Sequence, residues 1–300
     1  MKKYDTNMVT LPTRNEKIAY RKGGTAKEHI LLIHGNMSSS VHWQTTIEDL
    51  EKDFSVYAPD LRGFGESSYN ASFDSLKCLA EDLNEFINEV NIGNLTVIGW
   101  STGGGVALEL CALCPSVVKK VITIGSVPVT GYPIFKKDEQ GVPIVTELLK
   151  TKAEIANDPV QVLPVLNAYE NKDRGFIRLI LDNALYSKAK PSDAEYEAYI
   201  DAILQQRCLV DTNYALLTFN ITNAVSKSTN APGSNHLDLI KCPIVMLQGA
   251  DDLVVPLAWA KESHAIMADK ADFMLLEGLG HSVMTDNFSV FIQKLRKALL

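Results

Sequence analysis

Hydrophobic residues along this chain fall into short unbroken runs that alternate with amphipathic stretches. The runs His29–Ile33, Phe54–Ala58, Leu95–Ile98, Val121–Ile124, Pro243–Leu247 and Phe273–Leu276 are each followed within three residues by Gly, Pro or Asp. Continuous apolar runs of this length suit parallel strands buried on both faces. Between them, apolar residues recur with a helical period at about 43–52, 74–91, 101–114, 256–268 and 286–299. Residues 4–22 alternate polar and apolar instead, as two antiparallel strands joined by a turn at Pro12–Asn15. Together these patterns predict an α/β fold, a mostly parallel eight-stranded sheet with helices on both faces.

The alternation stops between about 130 and 236. That stretch carries Pro133, Pro143, Pro159, Pro164 and Pro191 and reads as short helices at 143–156, 173–186 and 192–207, without a strand. Residues 226–236 are polar and turn-rich, as in a return linker. The expected organisation is a core made of 1–129 and 237–300, with 130–236 inserted as a helical cap.

Four of the loops that follow predicted strands carry candidate chemistry, at the sheet edge where open α/β sheets place their sites. The most informative is Gly99-Trp100-Ser101-Thr102-Gly103-Gly104. A Ser in a G-x-S-x-G turn between a strand and a helix sits on a strained backbone with its hydroxyl exposed. The glycines two before and two after it, Gly99 and Gly103, allow the close approach of strand and helix. Free N–H groups at the helix start face the reacting atom, the help that a weakly nucleophilic hydroxyl needs. His34-Gly35-Asn36-Met37 follows the first parallel strand, and a backbone N–H there could join that of Thr102 in holding an oxyanion. Gly249 to Pro256 supplies an acid, with Asp251 and Asp252 as alternatives, and Gly278-Leu279-Gly280-His281 supplies a base.

Net charge changes the picture by exclusion. At −7 the chain is an unsuitable partner for nucleic acid or an anionic membrane surface. No apolar run reaches transmembrane length, and no apolar stretch follows Lys2 and Lys3 as in a leader. With five cysteines, an odd number, the expectation is free thiols and a cytoplasmic location. Cys111 and Cys114 read as small buried hydrophobes, His34 as a structural histidine beneath its loop, and Arg62 as an anchor for the loop 60–67. The aromatic set Tyr169, Phe176, Tyr186, Tyr214 and Phe219 is placed either to line an acyl pocket or to form the inserted segment's own core.

The pieces HGN at 34–36, DLRGFGES at 60–67, GWSTGG at 99–104, GxxDxxVP at 249–256 and GxGH at 278–281 occur in order, each after a predicted strand. In this the chain resembles the α/β hydrolases over nearly its whole length, including the chain order Ser, Asp, His. The resemblance implies Ser101 as nucleophile, His281 as base and Asp252 as its orienting acid. It implies an oxyanion site made of the N–H groups of Thr102 and Asn36, with Met37 as the alternative to Asn36. Each such donor lowers the barrier by roughly 3 kcal/mol in other serine enzymes. No metal or organic cofactor is implied, and the expected partner is a small-molecule or polymeric ester.

Met37 and Trp100 are candidate substrate contacts, although Trp100, like Trp43, reads first as a core residue and second as a pocket wall. Tryptophan before the serine is similar to the intracellular poly(3-hydroxybutyrate) depolymerases of bacilli. A lactonase, a C–C bond hydrolase or a perhydrolase would keep the same three residues. A small-molecule receptor on this scaffold is the non-catalytic alternative.

Overall fold

The computed structural model describes residues 2–300. Eight strands form one sheet: β1 (Asn7–Leu11), β2 (Glu16–Gly23), β3 (His29–Ile33), β4 (Ser55–Pro59), β5 (Leu95–Trp100), β6 (Val118–Ile124), and, after a long excursion, β9 (Ile244–Gly249) and β10 (Ala271–Leu276). Their spatial order is β1-β2-β4-β3-β5-β6-β9-β10, and only β2 runs against its neighbours. The strand order reverses at β3, which has β4 on one side and β5 on the other. Crevices open at such a switch point, and the loops leaving β3 and β5 meet there.

Side chains alternate across this sheet as the two-residue period requires. Leu31, Ile33, Val97 and Val121 face α2 (Leu76–Glu89) and α3 (Thr102–Leu113), while Ile30, Leu32, Ile98, Trp100 and Ile122 face α1 (Gln44–Leu50) and α11 (Phe288–Leu299). The remaining core helices are α9 (Leu257–Ile266) and the single turn α10 (Val283–Asp286). Helix α3 is buried from Thr102 to Ala112 and apolar but for Thr102 and Glu109, which pairs with His236, so it carries no amphipathic stripe. Ser75 caps α2 through the Cys78 N–H, and Asn287 caps α11 through that of Val290.

Between β6 and β9 the chain builds β7 (Phe135–Lys137), β8 (Pro143–Leu148), α4 (Lys152–Ala156), α5 (Leu163–Glu170), α6 (Arg174–Ala184), α7 (Asp193–Ile203) and α8 (Leu209–Thr218). This corrects the expectation of a strand-free segment with a helix at 143–156. The β7–β8 hairpin forms because Ile144, Val145 and Thr146 are β-branched and Asp138 closes the turn, its Oδ1 accepting the N–H groups of Gln140 and Val142. The helix starts only at Lys152, after a capping box of Thr151 and Glu154. Helices α5 and α8 were not anticipated. Ile155, Val165, Ile177, Leu181, Tyr196, Ile200 and Leu217 give this segment a hydrophobic cluster of its own.

Candidate active site

Ser101 stands between β5 and α3 with φ +56° and ψ −122°. Such a backbone costs about 1–3 kcal/mol for a residue with a side chain and persists only where its surroundings hold it. Here the Ser101 N–H donates to Ile124 O at 2.9 Å, and the Ser101 carbonyl accepts from Gly104 at 2.9 Å and Val127 at 3.2 Å. Three bonds of about 1 kcal/mol each offset strain of that size. The flanking glycines are obligatory. A Cβ on Gly99 would lie 2.2 Å from Gly103 O, and one on Gly103 would lie 2.3 Å from Ile33 O.

His281 and Asp252 come to the same place from the ends of β10 and β9. His281 Nδ1 lies 2.8 Å from Asp252 Oδ2, with both side chains buried. The Asp252 carboxylate is an acceptor in every direction that the structure shows. Val254 and Val255 donate their N–H groups to Oδ1 at 2.8 Å each, and Gln248 Nε2 donates to Oδ2 at 3.1 Å. A carboxylate so placed keeps the proton on His281 Nδ1, which leaves Nε2 as the basic nitrogen. Asp251, the alternative acid, is half-exposed and pairs with Lys188 at 2.7 Å.

A cavity of about 380 Å³ opens between these strand-end loops and the segment 130–236. Ser101, Thr102, Asn36, Met37 and His281 line it from the sheet side. Among the described residues, neither Ser101 Oγ nor the Nε2 of His281 has a hydrogen-bond partner, and the N–H groups of Thr102 and Asn36 have none either. The Met37 N–H is engaged by Asn36 Oδ1 at 3.0 Å and Gln206 Oε1 at 3.2 Å. The remaining wall is mostly aliphatic, with Val165, Leu181, Leu185, Leu209 and Leu216 from the inserted segment; Gln161 and Asn213 add two amides, and Tyr132 is its one phenolic ring. No Lys, Arg, Asp or Glu is among the described lining residues.

Trp100 takes a different place from the one expected of a substrate contact. It is absent from the cavity wall and lies on the α1–α11 side of the sheet, where it meets Trp43 edge-on with ring centroids 6.4 Å apart. Its indole N–H donates to the His281 carbonyl at 3.0 Å. The strand period dictates this, since Trp100 shares the face of Ile98. Of the two tasks open to the aromatic set, packing is the one observed. Tyr169, Phe176, Tyr186 and Tyr214 pack in or against the inserted segment's core, and Phe219 packs against the α2–α3 side.

The supporting residues have structural tasks. His34 Nε2 accepts the Leu61 N–H at 3.0 Å while Nδ1 donates to Gly35 O at 2.8 Å, and burial holds the ring neutral by lowering its pKa. Arg62 forks onto Asp82, both buried. Turning Arg62 toward a substrate would strand a buried carboxylate, at about 3–5 kcal/mol. Asp286 accepts the Gly280 N–H at 2.7 Å and so holds the loop before His281. Gln248, Asp286 and Gln206 escaped the sequence reading. Only Gln248 left a trace there, as a lone amide in an otherwise apolar strand. Among the described residues, no group of three or more His, Cys, Asp or Glu could hold a metal ion, and no helix is long and apolar enough to cross a membrane.

Comparison with known proteins agrees with the fold. Residues 28–288 match a family described as alpha/beta hydrolase fold. The chain is 24% identical to an uncharacterized protein of Mycobacterium tuberculosis over 282 residues, 91% of this chain and 75% of that one. It is 32% identical over 102 residues to the pimeloyl-[acyl-carrier protein] methyl ester esterase of Vibrio atlanticus, a match covering 33% of this chain and 36% of that protein. Among solved structures, an esterase from Exiguobacterium antarcticum superposes with a TM-score of 0.70 at 20% identity, covering 95% of this chain and 96% of the other.

Proposed function

The chain belongs to the α/β-hydrolase fold family, and on that premise we propose that it is a serine hydrolase of neutral carboxylic esters with an aliphatic acyl group. The observation that carries the reading is the Asp252–His281 hydrogen bond of 2.8 Å at the edge of the cavity into which the strained Ser101 opens. Ser101 Oγ attacks the acyl carbon and passes its proton to His281 Nε2. The Thr102 and Asn36 N–H groups receive the negative charge that develops on the carbonyl oxygen. His281 then protonates the leaving alcohol, and water repeats the sequence on the acyl-enzyme.

The segment 130–236 serves as the cap that closes the pocket over this machinery. Its mostly aliphatic lining matches a hydrocarbon acyl chain, and a wall without charged side chains disfavours substrates that bring a carboxylate or phosphate into the pocket. The Vibrio and Exiguobacterium proteins, both named as esterases, support ester chemistry. Five free thiols suit the reducing cytoplasm as its location. The narrower poly(3-hydroxybutyrate) resemblance rested on Trp100, whose bond to the His281 carbonyl gives it another task.

A series of p-nitrophenyl esters from acetate to decanoate tests the reading with wild type and Ser101→Ala. Hydrolysis that peaks at an intermediate chain length and disappears in the variant is expected. Activity that survives Ser101→Ala would overturn it.

A further inference from the structure

The turn after β3 is held from outside the sheet. Met37 has φ +49°, the left-handed region that a methionine seldom occupies. Its N–H meets two oxygens, Asn36 Oδ1 and Gln206 Oε1. Because a backbone N–H can only donate, both facing atoms are acceptors, which fixes the amide orientation of each side chain. The other end of Gln206 is therefore its NH2 group, and it donates to Asn36 Oδ1 at 2.8 Å. Tyr169 Oη completes the set by donating to Gln206 Oε1 at 3.1 Å. Gln206 itself is 3% exposed.

Gln206 belongs to the loop between α7 and α8, inside the inserted segment. Its neighbour Arg207 is bound to the other strand-end loop, its N–H donating to Gly63 O at 2.8 Å and its guanidinium to Ser67 O. The same stretch of chain thus grips the loops after β3 and after β4. The consequence at the cavity is selective. With the Met37 N–H occupied twice, the Asn36 N–H is the one left to point at a reacting carbonyl oxygen beside that of Thr102.

We propose that Gln206 is a positioning residue for ester hydrolysis: its amide locks the Asn36–Met37 turn so that Asn36, not Met37, supplies the second oxyanion N–H. The inserted segment then completes the oxyanion site as well as covering it. This inference rests on the hydrolase reading above and assigns one further residue to it.

The test uses the full chain, p-nitrophenyl butyrate and a fluorophosphonate probe. Gln206→Leu keeps the side-chain size but removes the lock. It should lower kcat and the rate of fluorophosphonate labelling together, by about 10- to 100-fold, with KM changed less than about threefold and the Tm of a folded protein. Gln206→Glu keeps both acceptor contacts but sets a carboxylate against Asn36 Oδ1. Its kcat relative to wild type should rise as pH falls and the glutamate gains a proton, which a side chain that only fills space would not produce.

A folded Gln206→Leu with wild-type kcat overturns the proposal, as does a change confined to KM. If Gln206→Leu fails to fold, a pH-independent ratio for Gln206→Glu overturns it. A wild type that neither hydrolyses the ester nor takes the probe brings down the hydrolase reading itself, and the inference with it. That outcome is distinct, because it is visible before any variant is made.

Discussion

The strand-end loops and the segment 130–236 build one cavity by different means. On the sheet side each chemical group is fixed by its own loop: Ser101 by three backbone bonds, Asp252 by two N–H groups and Gln248, and His281 by Trp100 and Asp286 on either side. On the other side the wall is mostly aliphatic side chains of a segment that packs around a separate core, and its polar contacts to the strand-end loops include those of Gln206 and Arg207. The difference separates two properties. On the proposed function, reaction chemistry falls to loops held by local bonding, whereas acyl-chain selection falls to a surface that is redrawn by exchanging one side chain for another.

The largest expected effect breaks the sheet side alone. Asp252→Asn should lower kcat by about 10⁴-fold, since an amide can donate to His281 Nδ1 and so favours the wrong tautomer. Steady-state kinetics on p-nitrophenyl butyrate would show this, and a loss under tenfold would remove Asp252 from its role.

Next comes the seam between the two regions, where His42 stacks on Tyr199 of α7 with ring centroids 4.2 Å apart. Burial, then the nearby His34, push the His42 pKa down from 6.5 to about 3. The folded state therefore binds its proton less readily than the unfolded chain. Its contribution to stability is whole above about pH 6.5 and is lost as pH falls toward about 3, at about 1.4 kcal/mol per pH unit. Urea unfolding across this window should show the slope, steepened by His34, whose pKa is lowered in the same direction. His42→Phe, which keeps the stack, should flatten it by about one proton's worth. An unchanged slope would mean that His42 is charged in the native state.

A smaller effect belongs to the inserted segment. Ala184→Phe narrows the cavity that Ala184 lines. It should cut kcat/KM for decanoate relative to acetate by about 10-fold, equivalent to about 1.4 kcal/mol of discrimination. If the acetate-to-decanoate ratio does not move, the aliphatic cavity is not the acyl site.

The smallest is Trp100→Phe, which deletes one hydrogen bond to the His281 carbonyl and should lower stability by about 1–2 kcal/mol and kcat a few-fold. Its chain-length profile should match wild type. A shifted profile would place Trp100 at the substrate after all.

The same contrast explains what was legible in the sequence. All eight strands of the main sheet were read correctly, because parallel strands need unbroken apolar runs and their loops need glycines for close approach. The meeting of His281 with Asp252 was also readable, since each residue ends a strand and strand ends share one edge of the sheet. The inserted segment was less legible. Strand β8 falls inside the helix expected at 143–156, because a six-residue run with no strict alternation does not distinguish strand from helix, and β7 is shorter still. The bond from Gln206 to Asn36 spans 170 positions and leaves no local pattern. Of the two places open to Trp100, the strand period selects the core, because it puts the side chain on the face of Ile98.

The central claim is that Ser101 is the nucleophile of an acyl-enzyme. Incubation of the folded protein with a fluorophosphonate, followed by peptide mass spectrometry, tests it most directly. One adduct is expected, on Ser101, formed in parallel with loss of ester hydrolysis and abolished by Asp252→Asn or by acid unfolding. A folded protein that takes no label, or takes it at another residue, would rule out Ser101 as the nucleophile and leave a ligand-binding protein on a hydrolase scaffold as the better description.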